Sequence, residues 1–535
     1  MNHLSLRLAG QTRQTCWKAL WHKRCIATTG YSSVVRDFTE QVVAKQPLFS
    51  VAPTSIQILF QPSEFYKSLL EMINHAEQRI FISSLYIGGE EAELISALQR
   101  RLEAKPDLKL HMLLDYNRST RPGPKSTAKL LRPLLEKHPS QVNIHMFRSP
   151  SLRGLMAKIV PPRFNEGWGT WHPKIYGADD SVLISGANLN KSYFTNRQDR
   201  YVKFNNQRNL ADYCVNFMDT VRQFSFQLKL SSPTTAPPHN PHSIHKKDFS
   251  LVWPDHQVHP HHISPIAQSA LSEFQKSYRQ QTQTTRQTLS SSTDHALVLP
   301  IIQAGQFKIK EEESVFNLLF SSLTGAATKF KACVDLTSGY FSLHRPYQDL
   351  ILKASGVDCR IVAAAPKANG FYGSKGISGR IPEGYTLYEQ RFMKAVRTAG
   401  RLWRGPSSNN GSGVLLSEWE RPGWSYHAKG VWLSPDWSSP PVLTLFGSTN
   451  LNARSAHIDT ELSFLMVLPS ETTPTSAAQP PAPGHKGGSD ALLTLRQSLQ
   501  QEIDNIRSNV TDWGGGERHV RWTTKFIVWL VKGML

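Results

Sequence analysis

The stretch WHPKIYGAD (residues 171–179), followed by ISGANLN (184–190), recurs in the second half of the chain as YHAKGVW (426–432), followed by FGSTNLN (446–452). An acidic residue stands eleven positions after the first asparagine of each copy: Asp199 follows Asn188, and Glu461 follows Asn450. Chance rarely repeats the same residue types in the same order. The repeat therefore predicts two similar units.

Each copy carries side chains that suit a phosphate. Residues two apart in a strand point to one face, so the histidine and lysine of each copy should project together. Lysine offers a point charge to phosphate oxygens, asparagine adds a neutral donor, and small Gly and Ser residues let the backbone approach closely. A carboxylate can accept the second imidazole N–H and fix the tautomer. The candidate residues are His172, Lys174, His427, Lys429, Asn188, Asn450, Ser185, Ser448, Asp199 and Glu461.

Two such sets face to face would form one site for phosphoryl chemistry. One histidine would attack phosphorus and form a covalent intermediate, and the other would protonate the leaving oxygen. The lysines and asparagines would stabilise charge on the phosphoryl oxygens. This scheme needs no metal ion.

The regions around the motifs predict an α/β fold, because apolar runs typical of strands alternate with helical patterns. We expect two similar lobes, each a mixed β-sheet flanked by helices, with the active site between them. The predicted strands are 80–87, 110–115, 143–147, 174–176, 182–185, 201–204, 332–336, 359–363, 386–388, 429–433, 442–446 and 461–466. The predicted helices are 62–76, 91–102, 346–353 and 388–399.

The repeat resembles the phospholipase D superfamily, whose mark is a duplicated H-x-K-x(4)-D motif followed by G-S-x-N or a similar stretch. The first copy matches fully with His172, Lys174 and Asp179, and we therefore group Asp179 with the catalytic residues. The second copy has Ser434 where the aspartate belongs. That aspartate is usually structural in the superfamily, so the departure leaves the proposed chemistry intact.

Within the superfamily, the chain resembles the eukaryotic mitochondrial phosphatidylglycerophosphate synthases. The resemblance rests on the stretches SLYIGG (84–89), LDYNR (114–118), YFTNRQDRY (193–201), PKANGFYGSK (366–375) and YHAKGVW (426–432). It implies transfer of the phosphatidyl group from CDP-diacylglycerol to glycerol 3-phosphate through a phosphatidyl-histidine, giving phosphatidylglycerophosphate and CMP. This is the committed step toward phosphatidylglycerol and cardiolipin. By the same resemblance, His172 would be the nucleophile and His427 the acid and base.

The implied acceptor, glycerol 3-phosphate, carries a phosphate of its own, so further cations are expected in the pocket to bind it. The candidates are Arg118, Arg121, Arg197, Arg200, Lys375 and Arg454. No cofactor is expected, although stimulation by a divalent cation stays open.

Composition shifts predict the domain boundaries. We expect a mitochondrial presequence at 1–36, which has six Lys or Arg residues and no Asp or Glu. The other predicted segments are a first lobe at 50–230, a Pro/His/Ser/Gln-rich linker at 231–300, a second lobe at 301–468, a disordered insertion at 469–489 and a C-terminal helical segment at 490–535. Seven histidines between His239 and His262 lack a fixed ligand spacing and favour a solvated loop over a metal site.

The formal net charge of +20 favours phosphate-bearing partners but does not choose among them. No run of 18 apolar residues exists, so no transmembrane helix is expected. The lipid substrate then implies peripheral contact with an anionic membrane, on the inner mitochondrial membrane, and no nucleic acid is expected. The apolar run 526–531 fits either a membrane-interfacial helix or a terminal helix packed on the fold.

Other functions share the paired motif. A phospholipase D-type nuclease or phosphodiesterase would use the same histidines and lysines and would also be basic. A lipid hydrolase would use water as acceptor, and a phosphatidylserine synthase would use serine. A basic membrane scaffold is disfavoured, because all four histidines and lysines of the motifs are present.

Overall fold

A computed structural model of the protein describes residues 30–123, 125–162, 164–231, 240–282, 294–326, 331–403, 412–470 and 487–531. The α-helices in these ranges are α1 Ser33–Lys45, α2 Pro62–His75, α3 Ala92–Ala104, α4 Tyr116–Ser119, α5 Thr127–Leu130, α6 Arg132–Lys137, α7 Gly154–Ile159, α8 Lys191–Thr195, α9 Arg208–Arg222, α10 Ser264–Gln281, α11 Glu311–Ala326, α12 Arg345–Lys353, α13 Ile381–Thr398, α14 Ala453–His457, α15 Gly487–Arg507 and α16 Trp522–Leu530.

The strands form two large mixed sheets and one small two-stranded pairing. They are β1 Phe49–Val51, β2 Ile56–Leu59, β3 Arg79–Ser84, β4 Lys109–Asp115, β5 Val142–Phe147, β6 Ile175–Ala178, β7 Ser181–Ser185, β8 Arg197–Gln198, β9 Tyr201–Phe204, β10 Phe226–Leu230, β11 Ile244–His245, β12 Phe249–Val252, β13 Ala296–Ala304, β14 Ile309–Lys310, β15 Cys333–Ser338, β16 Asp358–Ala364, β17 Val414–Trp419, β18 Ser425–Tyr426, β19 Lys429–Ser434, β20 Leu443–Gly447, β21 Glu461–Val467 and β22 Val510–Asp512.

The two large sheets repeat one topology. The first contains the order β5-β4-β3-β6-β7-β9-β2, and the second contains β17-β16-β15-β19-β20-β21-β13. In each, three neighbouring strands are parallel and the strands on the other side are antiparallel. The predicted α/β fold with two similar lobes is confirmed.

Local sequence explains why these elements form. Helix α2 begins with Pro62, and Gln61 and Glu64 form a capping box that satisfies the free amides of its first turn. Helix α9 buries Leu210, Cys214, Phe217 and other residues of one face against the sheet. Every residue of β13 is buried, as expected for a strand covered on both faces.

Several domain boundaries in the structure differ from those predicted from the sequence. Helix α1 crosses residue 36, and Val34 and Val35 lie in the core of the second lobe, so removal of residues 1–36 would take core side chains with it. Residues 1–29 lie outside the described residues. Strand β1 pairs with β13 and therefore belongs to the second sheet, although it adjoins the first lobe in sequence.

The predicted linker at 231–300 is largely folded. Strands β11 and β12 extend the first sheet, helix α10 packs on α9, and β13 begins at Ala296. Residues 232–239 and 283–293, like 471–486 of the predicted insertion, lie outside the described residues. The strand predicted at 386–388 is wrong, because these residues lie inside α13, whose buried face includes Leu387.

The C-terminal segment is helical, as predicted, but it also contains a strand. Strand β22 pairs with β17, and α15 packs against β2 in the first lobe. On α15, Glu502 accepts hydrogen bonds from Arg200 of the first lobe and from Trp432 of the second. This buried carboxylate therefore ties the two lobes together. No helix in the described part of the chain is long and apolar enough to cross a bilayer.

Candidate active site

The two histidine motifs meet between the lobes, where each is held by the opposite half of the chain. Trp171 pairs with Thr460, and the His172 amide donates to the Thr460 carbonyl at 3.0 Å. In the same way, β18 pairs with β8, and the His427 amide donates to the Gln198 carbonyl at 2.8 Å. Strand β6 begins only at Ile175, so the first motif's histidine and lysine precede the strand predicted to hold them.

The carboxylates cross between the lobes. His172 Nδ1 lies 2.8 Å from Glu461 Oε2, and His427 Nδ1 lies 2.7 Å from Asp199 Oδ2. Each imidazole of one repeat is thus supported by the acid of the other repeat. The expectation that these acids pair with the imidazoles agrees with the geometry, but sequence spacing did not reveal the crossing.

At His172 this pairing prepares the imidazole for chemistry at Nε2, whereas His427 Nδ1 lies 2.7 Å from both Asp199 Oδ2 and Lys429 Nζ. An Nδ1–H that donates to a carboxylate leaves the Nε2 lone pair free for phosphorus or a proton. Burial lowers the pKa of both histidines below their ordinary value, and Glu461 opposes this effect at His172. Burial alone would raise the pKa of Glu461, but His172 and Lys174 outweigh it and lower that pKa. Burial raises the pKa of Asp199 against the effect of Lys429.

The two lysines are buried beside the histidines. Lys174 Nζ donates to the His172 carbonyl at 2.6 Å, and Lys429 Nζ lies 3.6 Å from Asp199 Oδ2. Burial lowers the pKa of Lys429 to about 8, although Asp199 opposes the shift, and burial also lowers the pKa of Lys174 well below its ordinary value. A bound phosphate would supply negative charge that favours both ammonium forms.

Gly186 lies where Asp199 and the opposite lobe's Lys429 come close together. A Cβ at residue 186 would lie 2.6 Å from Lys429 Nζ and 2.5 Å from Asp199 Oδ1. A side chain at this position would displace both groups, so the glycine of the first S-G-A-N stretch leaves room for the opposite lobe's lysine.

The asparagines and serines of the motifs divide into two groups. The Asn188 amide donates to the Tyr193 hydroxyl at 3.2 Å, while Asn450 Oδ1 is buried without a hydrogen-bond partner. Asn450 therefore keeps a buried polar atom available to a ligand, whereas the Asn188 amide already bonds Tyr193. Ser185 instead donates to the Arg200 carbonyl, and Ser448 donates to Glu461. These two serines position backbone and carboxylate, which is a supporting role within the group of supporting and phosphate-binding residues.

Asp179 is structural. It follows β6, at the end remote from the motif's histidine, and its carboxylate accepts amides of Glu77, Gln78 and Arg79 at 2.7–3.1 Å. Its φ of +50° places it in a left-handed turn. Its grouping with the catalytic residues is therefore wrong, which explains why Ser434 can replace it in the second copy.

Three of the predicted cations surround a pair of carboxylates beside the site. Arg118 and Arg121 form ion pairs with Glu166, and Arg454 pairs with Asp459 at 2.9 Å. Asp459 also accepts the Thr170 amide, two residues before His172. This arginine cluster, defined as Arg118, Arg121 and Arg454, therefore adjoins the first catalytic motif.

The other predicted cations have different surroundings. Arg197 stacks on the Tyr193 ring, with its guanidinium carbon 4.5 Å from the ring centre, so it stands close to the second histidine. Arg200 donates to Glu502, to the Leu445 carbonyl and to Thr444, and its guanidinium covers Trp432. Its role as a phosphate ligand is corrected to a structural one. Lys375 is exposed on the loop before α13.

Sequence reasoning missed Tyr193 as a site residue. Its hydroxyl lies 3.3 Å from His427 Nε2, the atom that would exchange a proton with substrate. Tyr340 packs edge-on against the same imidazole, with ring centres 5.3 Å apart. Tyr193 opens the YFTNRQDRY stretch, so the resemblance marked its neighbourhood, but nothing in the spacing assigned it to the opposite lobe's histidine.

Among the residues that the structure describes, no group of three or more His, Cys, Asp or Glu side chains could hold a metal ion. In the histidine-rich segment, the His259 ring packs against those of His242 and His261, with centres 4.8 and 4.6 Å apart.

The chain is similar to known proteins over most of its length. A family model described as "Cardiolipin synthase, PLD-like domain" matches residues 69–221. A mitochondrial CDP-diacylglycerol–glycerol-3-phosphate 3-phosphatidyltransferase from Gallus gallus is 35% identical over 459 residues, covering 79% of this chain and 76% of the relative. The relative in Homo sapiens is 34% identical, with 79% and 75% covered. The one in Schizosaccharomyces pombe is 33% identical, with 79% and 87% covered.

Among solved structures, phosphatidylserine synthase from Haemophilus influenzae has a TM-score of 0.62 at 19% identity, covering 93% of this chain and 99% of that one. At this identity the likeness shows the fold alone.

Proposed function

Because the chain belongs to the CDP-diacylglycerol–glycerol-3-phosphate 3-phosphatidyltransferase family, we propose that it moves a phosphatidyl group from CDP-diacylglycerol to glycerol 3-phosphate. The products are phosphatidylglycerophosphate and CMP. The observation that supports this chemistry best is the pair of buried histidines, each with a lysine beside it and the other lobe's carboxylate behind it.

In the first half-reaction, His172 Nε2 attacks the phosphorus that carries diacylglycerol. The N–P bond forms as the P–O bond to CMP breaks, leaving a phosphatidyl-histidine. His427 donates a proton to the leaving phosphate oxygen. In the free site burial and Lys429 disfavour protonated His427, but the negative phosphates of the substrate favour it.

In the second half-reaction, glycerol 3-phosphate replaces CMP. His427, now neutral, takes the proton from the sn-1 hydroxyl as its oxygen attacks phosphorus, and the N–P bond breaks to restore His172. Lys174, Lys429 and the amides of Asn188 and Asn450 stabilise the charge on the phosphoryl oxygens in both steps. The scheme uses no cofactor and predicts ping-pong kinetics.

The arginine cluster supplies the site for the acceptor's own phosphate. Its three guanidiniums face two carboxylates, Glu166 and Asp459. Burial raises the pKa of Glu166, which makes its carboxylate easier to neutralise. A dianionic phosphate could then take over the guanidiniums of Arg118 and Arg121.

The proposed place of action is the inner mitochondrial membrane, with the protein attached peripherally. Several similar proteins carry the word mitochondrial in their names, and residues 1–36 have the composition of a presequence. CDP-diacylglycerol resides in a bilayer, so the enzyme must contact the membrane as a peripheral protein.

The test is CMP release from CDP-diacylglycerol by the purified full chain, with glycerol 3-phosphate, serine or no acceptor, and with or without Mg²⁺. We expect release to depend on glycerol 3-phosphate and to yield phosphatidylglycerophosphate. A His172→Ala variant should be inactive, while His256→Ala, which removes an exposed histidine remote in sequence from both motifs, should match wild type. Preference for serine, or cleavage of a nucleic-acid phosphodiester without CMP release, would overturn the proposal.

A further inference from the structure

Helix α7 presents apolar side chains to solvent. None of its six residues is buried, and Leu155 and Ile159 are 70% and 62% exposed. Met156 and, beyond the helix, Phe164 are also exposed. Exposed apolar clusters of this kind mark surfaces that bind a partner or a membrane.

Helix α16 shows the same pattern. It packs on α13 through Thr524 and Val528, while its opposite stripe leaves Trp522 and Trp529 77% and 66% exposed. Phe526 and Leu530 complete that stripe at helical spacing. The helix has nine residues and is too short to span a bilayer.

Each of the two helices is linked to one of the two histidine motifs. Phe164 stands two residues before Glu166, which pairs with the arginine cluster. Helix α16 rests on α13, and Tyr385 of α13 stacks on Tyr340, which contacts the His427 ring. The loop that leads into α13 adds exposed Tyr372 and Ile377 beside Gly370, whose Cβ position lies 3.1 Å from the Tyr340 hydroxyl.

Lys and Arg residues accompany these apolar side chains, although Arg380 and Arg521 pair with Glu383 and Arg518 pairs with Glu418. Segments 150–165, 370–380 and 518–532 contain no Asp or Glu, and each carries Lys or Arg. Trp and Tyr rings favour the membrane–water interface, and cations attract anionic headgroups.

We propose that α7, the 372–377 loop and α16 form one docking surface for an anionic lipid bilayer, so that a headgroup in the membrane reaches His172 and His427. This inference rests on the proposed function for its lipid substrate. Self-association through the same surface is disfavoured, because two copies would bring cations against cations.

The test measures binding of the full chain to vesicles of equimolar phosphatidylcholine and phosphatidylglycerol, and to vesicles of phosphatidylcholine alone. The test variant carries Ile159→Gln with Trp529→Gln. The control carries Ile266→Gln with Leu493→Gln, which replace apolar residues of 43% and 47% exposure elsewhere on the surface. We expect the test variant to bind mixed vesicles at least about tenfold more weakly than wild type, and the control to match wild type.

A second readout separates this inference from the proposed function. With CDP-diacylglycerol in detergent micelles, which need no docking to a bilayer, the test variant should release CMP as wild type does, and it should lose activity on vesicles. Equal vesicle binding by wild type and test variant would overturn the docking surface even if CMP release is normal. A change from dimer to monomer in light scattering with vesicle binding unaltered would assign the surface to a second copy of the chain and overturn the proposal.

Discussion

Replacing Glu461 by Gln tests whether the catalytic histidines are supported across the lobes. Glu461 comes from the second lobe, is fully buried, and lies 2.8 Å from His172 Nδ1 in the first. Glutamine has the same shape and keeps an acceptor oxygen, but it removes the negative charge. Ser455 donates to the other carboxylate oxygen at 2.7 Å and should help hold the new side chain in place.

The expected loss follows from the type of bond. A hydrogen bond between a buried carboxylate and an imidazole that gains charge contributes about 1.5–3 kcal/mol, and a loss of about 2 kcal/mol lowers a rate by about 30-fold. We therefore expect kcat/KM for CDP-diacylglycerol to fall by about 30-fold. Glu389→Gln, another change at a nearly buried carboxylate, should leave kcat/KM unaltered, because Glu389 bonds Trp513 in the C-terminal segment.

The pH profile shows which histidine is affected. Glu461 raises the pKa of His172, so its loss lowers that pKa further. If His172 attacks in its neutral form, the acid limb of the kcat/KM profile moves to lower pH, by about one to two units for the same free energy. Asp199 lies 2.7 Å from His427 Nδ1, so Asp199→Asn should instead act on the limb that reports His427.

Two outcomes would contradict this reasoning. Wild-type kcat/KM with an unshifted acid limb in a folded Glu461→Gln enzyme would show that the crossed pair does not support His172. An acid-limb shift in Asp199→Asn, with the alkaline limb moving in Glu461→Gln, would assign the nucleophile to His427.

Three further predictions concern stability and the second histidine. Deleting residues 1–36 should lower the melting temperature in calorimetry more than deleting residues 1–29 does. The longer deletion removes Val35 and two more core side chains, each of which contributes about 1.5–3 kcal/mol to stability. Equal melting temperatures of the two deletion variants would contradict the placement of α1. Tyr193→Phe removes the hydroxyl 3.3 Å from the second catalytic histidine, and kcat should fall about fivefold, as for one neutral hydrogen bond; an effect on KM alone would argue for a binding role. Burial raises the pKa of Glu389 from 4.5 to about 8, so the stabilising effect of its neutral form is complete below pH 4.5 and is lost as the pH rises through 8. Glu389→Gln cannot ionise, and thermal melts should show a smaller fall in its melting temperature over that range than in wild type.

Much of the fold could be predicted from local patterns. Strands β4, β7, β9, β16 and β19 lie where apolar runs predicted them, because buried strands need such runs. The prediction of a strand at 386–388 was wrong. These three residues have a strand-like composition, but they belong to an amphipathic helix of eighteen residues. The composition of the histidine-rich region predicts a linker, yet tertiary pairing of β12 with β10 makes it part of the first sheet.

The sequence by itself determined the residue types of the site and their duplication. The repeated motif alone marks His172, Lys174, His427 and Lys429, because phosphoryl chemistry restricts which side chains can act and spacing records their order. The tertiary structure was needed to show which acid supports each histidine and that Tyr193 contacts His427. It was also needed to show that Arg200 and Asp179 are structural. The physical reason is that these contacts join residues more than 100 positions apart. In addition, Arg200 and Asp179 are already engaged by carboxylate or backbone groups. Such contacts depend on how the two lobes pack, and residue spacing carries no information about that packing.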